Sequence, residues 1–394
     1  MNLLLIADGR SPITRRWIRM LQPLNYTINL ITTYPCTPVD GVNETILFPV
    51  AFASFSGSQA GGGTNKTSRK MVSRFRGVAA DLRHWLGPAT ISFLEKDYLA
   101  LLKRLKPDLV HALRIPYEGM LASRTPPGIP LVISTWGNDF TYHANANEVM
   151  GTATRRALLR ADGLVSDTLR DLRIAQTWSF NPAKPSISVP GNGGIDLDEI
   201  VSVTSGFSPA VPQRVINPRG FRSGSVRNDT FFKSIPLVLN LHPTTHFVCP
   251  WMAGQAEALR WINQLGILDH VSLLPMLSQV DLWREFAQSL VSVSISEHDG
   301  TPNSLLEAMA IGCLPVCGNI ESIREWITNG ENGILVDPAD AFALAEAVIR
   351  AITDEDFRRQ AAVRNREIIR SRAEIGSVRQ RVAEFYSQLI DSVV

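Results

Sequence analysis

Short apolar segments separated by helical patterns run through this chain twice, and that alternation limits what it can fold into. In the first half, Leu3–Ala7, Thr27–Thr32, Asp108–His111, Leu131–Ser134, Gly163–Ser166 and Ser186–Val189 read as strands. Ile13–Leu21, Tyr98–Lys106 and Glu148–Ala161 read as helices between them. Residues 190–212 then interrupt the rhythm with Gly, Ser and Pro, as a linker does. The series restarts with strands at Arg214–Asn217, Thr245–Cys249, His270–Leu274, Leu290–Ile295, Leu314–Val316 and Gly333–Val336. The helices between are Thr230–Leu241, Gly254–Leu265, Val280–Ser289, Pro302–Ala310 and Ser322–Ile327, and three amphipathic helices follow to the end. Apolar strands alternating with helices form a parallel sheet covered on both faces. The fold class is therefore α/β, with two Rossmann-like domains: residues 1–205, residues 206–375, and a last helix over 376–394 that packs back on the first domain. A ligand is expected in a central cleft, at the carboxyl ends of the strands.

Composition excludes several other classes. With 394 residues, 45% apolar and 19% charged, the chain reads as an ordinary soluble globular protein. It has no uninterrupted apolar run of about 18 residues, the length a membrane-spanning helix needs. Leu3–Ile6 is followed at once by Asp8, too short and too soon charged for a signal peptide. These features point to a cytoplasmic protein. The four cysteines are scattered and read as plain thiols. No His/Cys cluster has metal-ligand spacing, so no metal is expected. The net charge of +2 hides an asymmetry: residues 1–205 hold 22 Lys/Arg against 16 Asp/Glu, the remainder 17 against 21. The basic half is the better candidate for an anionic surface or acceptor, and nothing points to nucleic acid.

The most informative chemistry lies at 299–312, Asp-Gly-Thr-Pro-Asn-Ser-Leu-Leu-Glu-Ala-Met-Ala-Ile-Gly. Thr301 suits an N-cap, Pro302 suits the first helical position, and Gly312 suits a helix end. Ahead of them runs the strand Leu290–Ile295. A strand, a tight loop and an open helix start together cradle phosphate, which gains roughly 0.3–1 kcal/mol from the helix dipole. Asp299 and Glu307 bracket this cradle, and a carboxylate beside bound phosphate suits a ribose diol. A turn with three arginines, Asn217-Pro-Arg-Gly-Phe-Arg222 and then Arg227, follows the first strand of the second domain. Arginine there suits diphosphate. Gly61–Thr67 imitates a P-loop but has Asn65 where glycine is required. Asp196-Leu-Asp198 imitates a metal-binding pair and reads better as a helix start. Lys66, Arg69, Lys70, Arg74, Arg76 and Arg83 interleave with apolar residues after the Gly/Ser-rich Ser56–Asn65, a pattern compatible with peripheral contact at an anionic membrane through 66–83.

These motifs carry a family resemblance. Asp299 and Glu307, two acids separated by seven residues and followed by Ala308-Met309-Ala310, resemble the hallmark of the retaining glycosyltransferases of family 4, also called group 1, with the GT-B fold. Pro315-Val316, Glu325–Val336 and Asp340 with Leu344 continue the likeness. So do Ser11–Trp17, Lys106–His111, Trp136-Gly-Asn-Asp139 and Val189–Asp196 in the first domain. The resemblance covers nearly the whole chain apart from about residues 45–95. Three positions depart from the pattern: Asp299 stands where Glu is usual, Arg227 where Lys is usual, and Leu113 where a second His often falls.

The resemblance implies transfer of a sugar from a nucleotide-diphosphate donor to an acceptor hydroxyl with retention, in cell-surface polysaccharide or glycolipid synthesis. A uridine-diphosphate sugar is favoured over a guanosine one. The acceptor would be a carbohydrate, a lipid-linked sugar or a small molecule. Arg219 and Arg227 would neutralise the leaving diphosphate, and Asp299 would reach the transferred sugar. Gly300, Thr301, Pro302, Asn303, Ser304 and Leu305 would hold the donor, with Glu307 on the ribose. Arg15, His111, Glu118, Asn138 and Asp139 would line an acceptor or sugar pocket. No cofactor is expected, because the nucleotide-sugar is a substrate and the arginines replace a metal. Two alternatives stand beside this: a nucleotide-sugar epimerase or sugar phosphorylase on the same fold, and a non-catalytic sugar-nucleotide-binding protein.

Overall fold

The computed structural model describes residues 1–51, 66–208, 213–222 and 224–392, with Lys66–Asp81 described in the backbone alone. The chain divides into two compact units, Met1–Gly193 with Arg379–Val394, and Gly194–Val378. The basic side chains of 66–81 and the Ser56–Asn65 segment lie outside the described residues.

The first unit holds a seven-stranded sheet built from β1 (Asn2–Ala7), β2 (Thr27–Thr32), β3 (Glu44–Leu47), β4 (Leu109–Ala112), β5 (Leu131–Thr135), β6 (Gly163–Ser166) and β7 (Ser186–Ser188). The order across it is β3-β2-β1-β4-β5-β6-β7 and every pairing is parallel. Leu3, Leu4, Leu5 and Ile6 are wholly buried, as both faces of a central parallel strand must be. The helices of this unit are α1 (Pro12–Leu21), α2 (Lys66–Leu105), α3 (Met120–Ala122), α4 (Glu148–Arg160) and α5 (Leu169–Thr177). Sequence pattern does not reveal β3: it is an edge strand whose residues alternate between half-buried and exposed, with no apolar run to mark it.

The second unit begins with α6 (Leu197–Thr204), inside the stretch read as linker. Asp196 caps it by accepting from the Glu199 amide at 2.9 Å, a helix start rather than a metal pair. Because α6 packs on the second unit, the division falls after Gly193 and not at residue 205. Six parallel strands follow: β8 (Arg214–Ile216), β9 (His246–Cys249), β10 (Val271–Leu273), β11 (Val291–Ser294), β12 (Leu314–Gly318) and β13 (Ile334–Val336), in the order β10-β9-β8-β11-β12-β13. They alternate with α7 (Asn228–Leu241), α8 (Ala256–Leu265), α9 (Gln279–Ala287), α10 (Asn303–Ile311), α11 (Glu321–Arg324), α12 (Ala341–Thr353) and α13 (Glu355–Arg372). Val215 and Phe247 face one core, Ile216 and Val248 the other, as alternation along a strand requires. A final helix, α14 (Ile375–Asp391), carries Val382, Tyr386 and Leu389 into burial. No helix among the described residues is long and apolar enough to cross a membrane.

Both sheets share one topological feature. The first strand of each, β1 or β8, is flanked on one side by the strands that follow it and on the other by a later strand, β4 or β11. The connection therefore reverses direction there, and the loops leaving the two neighbouring strands splay apart into a crevice.

His111 on β4 belongs to the core and not to a pocket. It is fully buried, with Tyr386 Oη 2.6 Å from Nδ1 and Ser134 Oγ 2.8 Å from Nε2. Burial pushes its imidazole down to about 3. Below the ordinary value of 6.5, the unfolded chain takes up a proton that the folded chain refuses until about pH 3. The stability contributed by neutral His111 is therefore present above pH 6.5 and lost on acidification. Replacing His111 with Asn removes that titration. In urea unfolding, the stability gap between the native chain and His111→Asn should narrow by about 2 kcal/mol between pH 6.5 and pH 5.

Candidate active site

In the second unit the crevice opens between β8 and β11. The turn after β8 is clamped by two buried asparagines. Asn217 Oδ1 accepts from the Arg219 amide at 3.2 Å, Asn217 Nδ2 donates to Asn228 Oδ1 at 3.2 Å, and Asn228 Nδ2 donates to the Gly220 carbonyl at 2.9 Å. Gly220 sits at φ +62°, a conformation that favours glycine, and turns the chain so that Arg219 comes back across the strand ends.

The loop after β11 meets it. Arg219 Nη2 forms an ion pair with Asp299 Oδ2, and Nη1 reaches Ser304 Oγ at 3.5 Å. Asp299 is fixed on every side: Oδ2 accepts from Ser296 Oγ at 3.2 Å, Oδ1 from the Gly300 amide at 3.1 Å, and its carbonyl from Ser322 Oγ at 2.9 Å. Gly318 on β12 makes this loop possible, since a Cβ there would stand 2.4 Å from the Ser296 carbonyl oxygen. Both charged partners are largely buried, Arg219 at 6% and Asp299 at 18% side-chain exposure, and the Arg219 Nε–H has no acceptor among the described residues. A guanidinium with an unspent donor, aimed at a helix start, is a ready anion site.

The helix start differs from the expectation. Pro302 is the N-cap residue of α10, and no side chain caps the helix. Thr301 is turned away instead, its hydroxyl accepting from Trp326 Nε1 at 2.9 Å. Two of the backbone donors assigned to the donor are already committed, Gly300 to Asp299 and Leu305 to the Pro302 carbonyl at 3.0 Å. Asn303 and Ser304, both half-buried, open the helix. Gly312 ends it at φ +107°, the left-handed cap its position called for. Glu307 is 2% exposed and accepts from Gln279 Nε2 at 2.9 Å at the start of α9.

Arg227 is not beside Asp299. It forms ion pairs with Asp229, at 2.8 and 3.0 Å, and with Glu297 at 2.6 Å. Hydrogen bonds to Asp229 and then Glu297 raise its pKa well above the usual range, while Asp229 is pulled down to about 2 by Arg227. Its charge is already balanced. Arg222, in the same turn as Arg219, lies within electrostatic reach of both Arg219 and Asp299. This guanidinium is exposed, its pKa is lowered by repulsion from Arg219, and Asp299 also acts on it. Sequence reasoning noted Arg222 in the turn without giving it a role, and it could not see Gln279, which carries no motif.

The residues assigned to an acceptor pocket separate in the first unit. Arg15 is a loop staple, donating to the carbonyls of Gly9, Pro38 and Thr37 at 3.0–3.1 Å and to Thr37 Oγ1 at 2.8 Å. His111 is core, as shown above. Asn138 is exposed. Asp139 is wholly buried, binding Arg114 Nη2 at 2.8 Å and the amides of Ile115 and Trp136 at 3.0 and 3.2 Å. Glu118 lines a cavity, accepting from Thr33 Oγ1 at 2.8 Å.

Two family profiles match this chain, one described as "Glycosyl transferases group 1" over residues 230–368 and one as "Glycosyl transferase 4-like" over residues 82–168. Together they span more than half of it. The chain belongs to the group 1 glycosyltransferases. The lipopolysaccharide core biosynthesis glycosyltransferase LpsE of Rhizobium meliloti (strain 1021) is 29% identical over 154 residues, 36% of this chain and 41% of that protein. The GDP-mannose:cellobiosyl-diphosphopolyprenol alpha-mannosyltransferase of Xanthomonas campestris is 22% identical over 264 residues, 64% of this chain and 67% of that protein. The match therefore spans less than half the length of LpsE and about two thirds of the mannosyltransferase. Among solved structures, Anabaena Alr3699/HepE in complex with UDP-glucose aligns over 98% of this chain and 100% of its own, at 14% identity and a TM-score of 0.67. That likeness establishes the fold, GT-B.

The charge pairing makes a prediction. Arg222→Ala should weaken binding of a nucleoside diphosphate about tenfold in calorimetry at low salt, and Arg227→Ala should weaken it less, because Arg227 is neutralised by two carboxylates. Equal losses would mean that Arg227 leaves those carboxylates when ligand binds.

Proposed function

We propose that this protein transfers a sugar from a nucleotide-diphosphate donor to an acceptor hydroxyl, with retention at the anomeric carbon, in the synthesis of a cell-surface polysaccharide or glycolipid. The observation that carries the reading is the Arg219–Asp299 pair at the uncapped start of α10, with Glu307 buried in the same helix. The names of LpsE and of the Xanthomonas mannosyltransferase support a role in surface saccharide synthesis. The UDP-glucose bound by HepE favours a uridine nucleotide, while the mannosyltransferase leaves a guanosine one open.

In this reading the donor binds the second unit and the acceptor the first. An incoming diphosphate takes Arg219 from Asp299, since two phosphates outcompete one carboxylate for a bidentate guanidinium. Asp299, still held by Ser296 and the Gly300 amide, is then released to accept hydroxyls of the transferred sugar. Glu307 and Gln279 offer an acceptor and a donor to the ribose diol. As the glycosidic bond breaks, charge grows on the leaving diphosphate. Arg219, Arg222 and the open α10 amides stabilise it, each such donor contributing on the order of 2.7–4 kcal/mol to the transition state. This arrangement of cations supplies what a divalent metal would.

Arg219→Ala and Glu307→Ala should each weaken UDP binding by about 10–100-fold in calorimetry. Asp299→Ala should behave oppositely toward UDP, retaining or tightening it because a competitor for Arg219 is gone, while turnover of the UDP-sugar collapses. Unchanged UDP affinity in both Arg219→Ala and Glu307→Ala would sink the site, and loss of activity on adding a chelator would sink the metal-free mechanism.

A peripheral contact with an anionic membrane belongs to the same proposal. Leu82, Trp85, Leu86 and Phe93 are exposed along α2, continuing the basic stretch that begins at Lys66. Co-sedimentation with vesicles containing phosphatidylglycerol, and none with phosphatidylcholine alone, is the expected result. Trp85→Ser with Phe93→Ser should abolish it.

A further inference from the structure

The first unit has its own crevice at the reversal between β1 and β4, and it is lined for a different ligand. A cavity of about 250 Å³ lies there, bounded by Asp8 and Arg10 after β1, Tyr34 after β2, Arg114 and Glu118 after β4, and Arg83 from α2. Its small volume suits one sugar residue rather than a polymer.

The polar groups in this cavity are unevenly spent. Asp8 is consumed by Arg10, which binds it through Nε and Nη2 at 3.0 and 2.9 Å. Glu118 is consumed by Thr33 and its own amide. Burial raises its pKa, with Arg114 opposing. Arg114 commits Nη2 to Asp139, but its Nε–H is buried with no acceptor among the described residues. Burial works against its charge, and Asp139 and Glu118 overcome that. Arg83 forms no salt bridge among the described residues, although the Glu118 carboxylate lies within electrostatic reach of it. Its Nε–H is buried without an acceptor, and its guanidinium lies 4.6 Å from the centre of the Tyr117 ring and 5.4 Å from that of Tyr34. His143, held neutral by burial with its imidazole pushed down to about 4, adds no charge. The balance is an excess of guanidinium donors over acceptors.

The backbone around this cavity is also arranged at a cost. Tyr117 stands at φ +65°, in the left-handed region that a bulky residue rarely enters. Its ring fits against α2 only because position 87 is glycine, where a Cβ would come within 2.5 Å of Tyr117 Cε1. Tyr117 Oη in turn donates to the Arg83 carbonyl at 3.1 Å, which fixes the turn of α2 that carries Arg83. Strain of this kind holds Arg83 and Arg114 at one cavity.

We propose that this cavity receives an oxyanion on the acceptor, the carboxylate of a uronic acid or the phosphate of a sugar phosphate, seated between Arg83 and Arg114. This deepens the glycosyltransferase reading, on which the word acceptor rests. An acidic acceptor offers the unspent N–H groups of both arginines a charged acceptor at once, whereas the hydroxyls of a neutral sugar offer only the weaker, uncharged kind and leave the excess positive charge unbalanced.

The test is calorimetry on the full chain with glucuronic acid, glucose 6-phosphate and glucose. At least one acidic sugar should bind tenfold or more tightly than glucose, and which one wins decides between carboxylate and phosphate. That advantage should shrink as salt is raised, disappear in Arg83→Ala, and be partly kept in Arg83→Lys, which retains the cation without the planar fork. Glucose binding as tightly as both acidic sugars would overturn the inference, as would an advantage that survives in Arg83→Ala. UDP binding by the unaltered chain, measured alongside, tests the glycosyltransferase reading separately: UDP bound with no preference for acidic sugars defeats this inference alone.

Discussion

Burial of both faces of every central strand is the constraint from which the rest of this structure follows. A parallel sheet covered by helices leaves nowhere for charged groups along its strands. Leu3 to Ile6 and Val291 to Ser294 accordingly run through the interior with almost no exposure. Charged groups are pushed to the strand ends, and the order of strands decides which ends can part. In each unit the first strand is the one at which the chain changes side, so the loops leaving β1 and β4, and those leaving β8 and β11, cannot close over one another. The functional groups of both units collect at these two reversals.

At the second of them, the proposed chemistry depends on a pair of opposite charges that separates when the donor binds. Removing Arg219 and Asp299 from water is costly unless each has a partner, and in this structure each is the other's partner. The surrounding bonds are unequal, however. Asp299 keeps Ser296 and the Gly300 amide whatever Arg219 does, and Arg219 has an unspent Nε–H. Exchange of the carboxylate for a diphosphate, as proposed, would therefore strand neither group. Arg227 illustrates the contrary design: two carboxylates close around it at the start of α7, and its charge serves the local structure.

Those particulars explain how far the sequence could be read. The strand–helix alternation, the Gly312 cap and the convergence of Arg219 and Asp299 on the start of α10 were legible, because each leaves a local signature in spacing or residue type. The edge strand β3 was not, since an alternating, half-exposed quartet carries no apolar run. Thr301 has the composition of an N-cap, but its hydroxyl is taken by Trp326, a partner 25 positions along the chain. Arg15 and His111 fell in matching motifs and yet serve as a loop staple and a core hydrogen-bonding group. Their contacts come from Thr37 and Tyr386, which no local pattern associates with them. In sequence Arg83 is one residue of a basic stretch, and only α2 brings it to the cavity at the ends of β1 and β4.

The two crevices differ in how their charges are disposed, and the difference follows from the kind of ligand each would meet. A diphosphate brings enough charge to break an existing ion pair, so under the proposed reading the second unit would keep Arg219 neutralised until such a donor arrived and would avoid a bare buried cation. A single carboxylate or monophosphate brings less and competes poorly with a carboxylate already in place. A site for such a group must keep some donors unclaimed, as Arg83 and Arg114 do, and must stabilise them otherwise. Here aromatic faces contribute, with the Arg83 guanidinium 4.6 Å from the centre of the Tyr117 ring and the Arg114 guanidinium 5.3 Å from that of Trp136. Cation–π contacts hold a guanidinium in position while leaving the N–H groups at its edge open to a ligand.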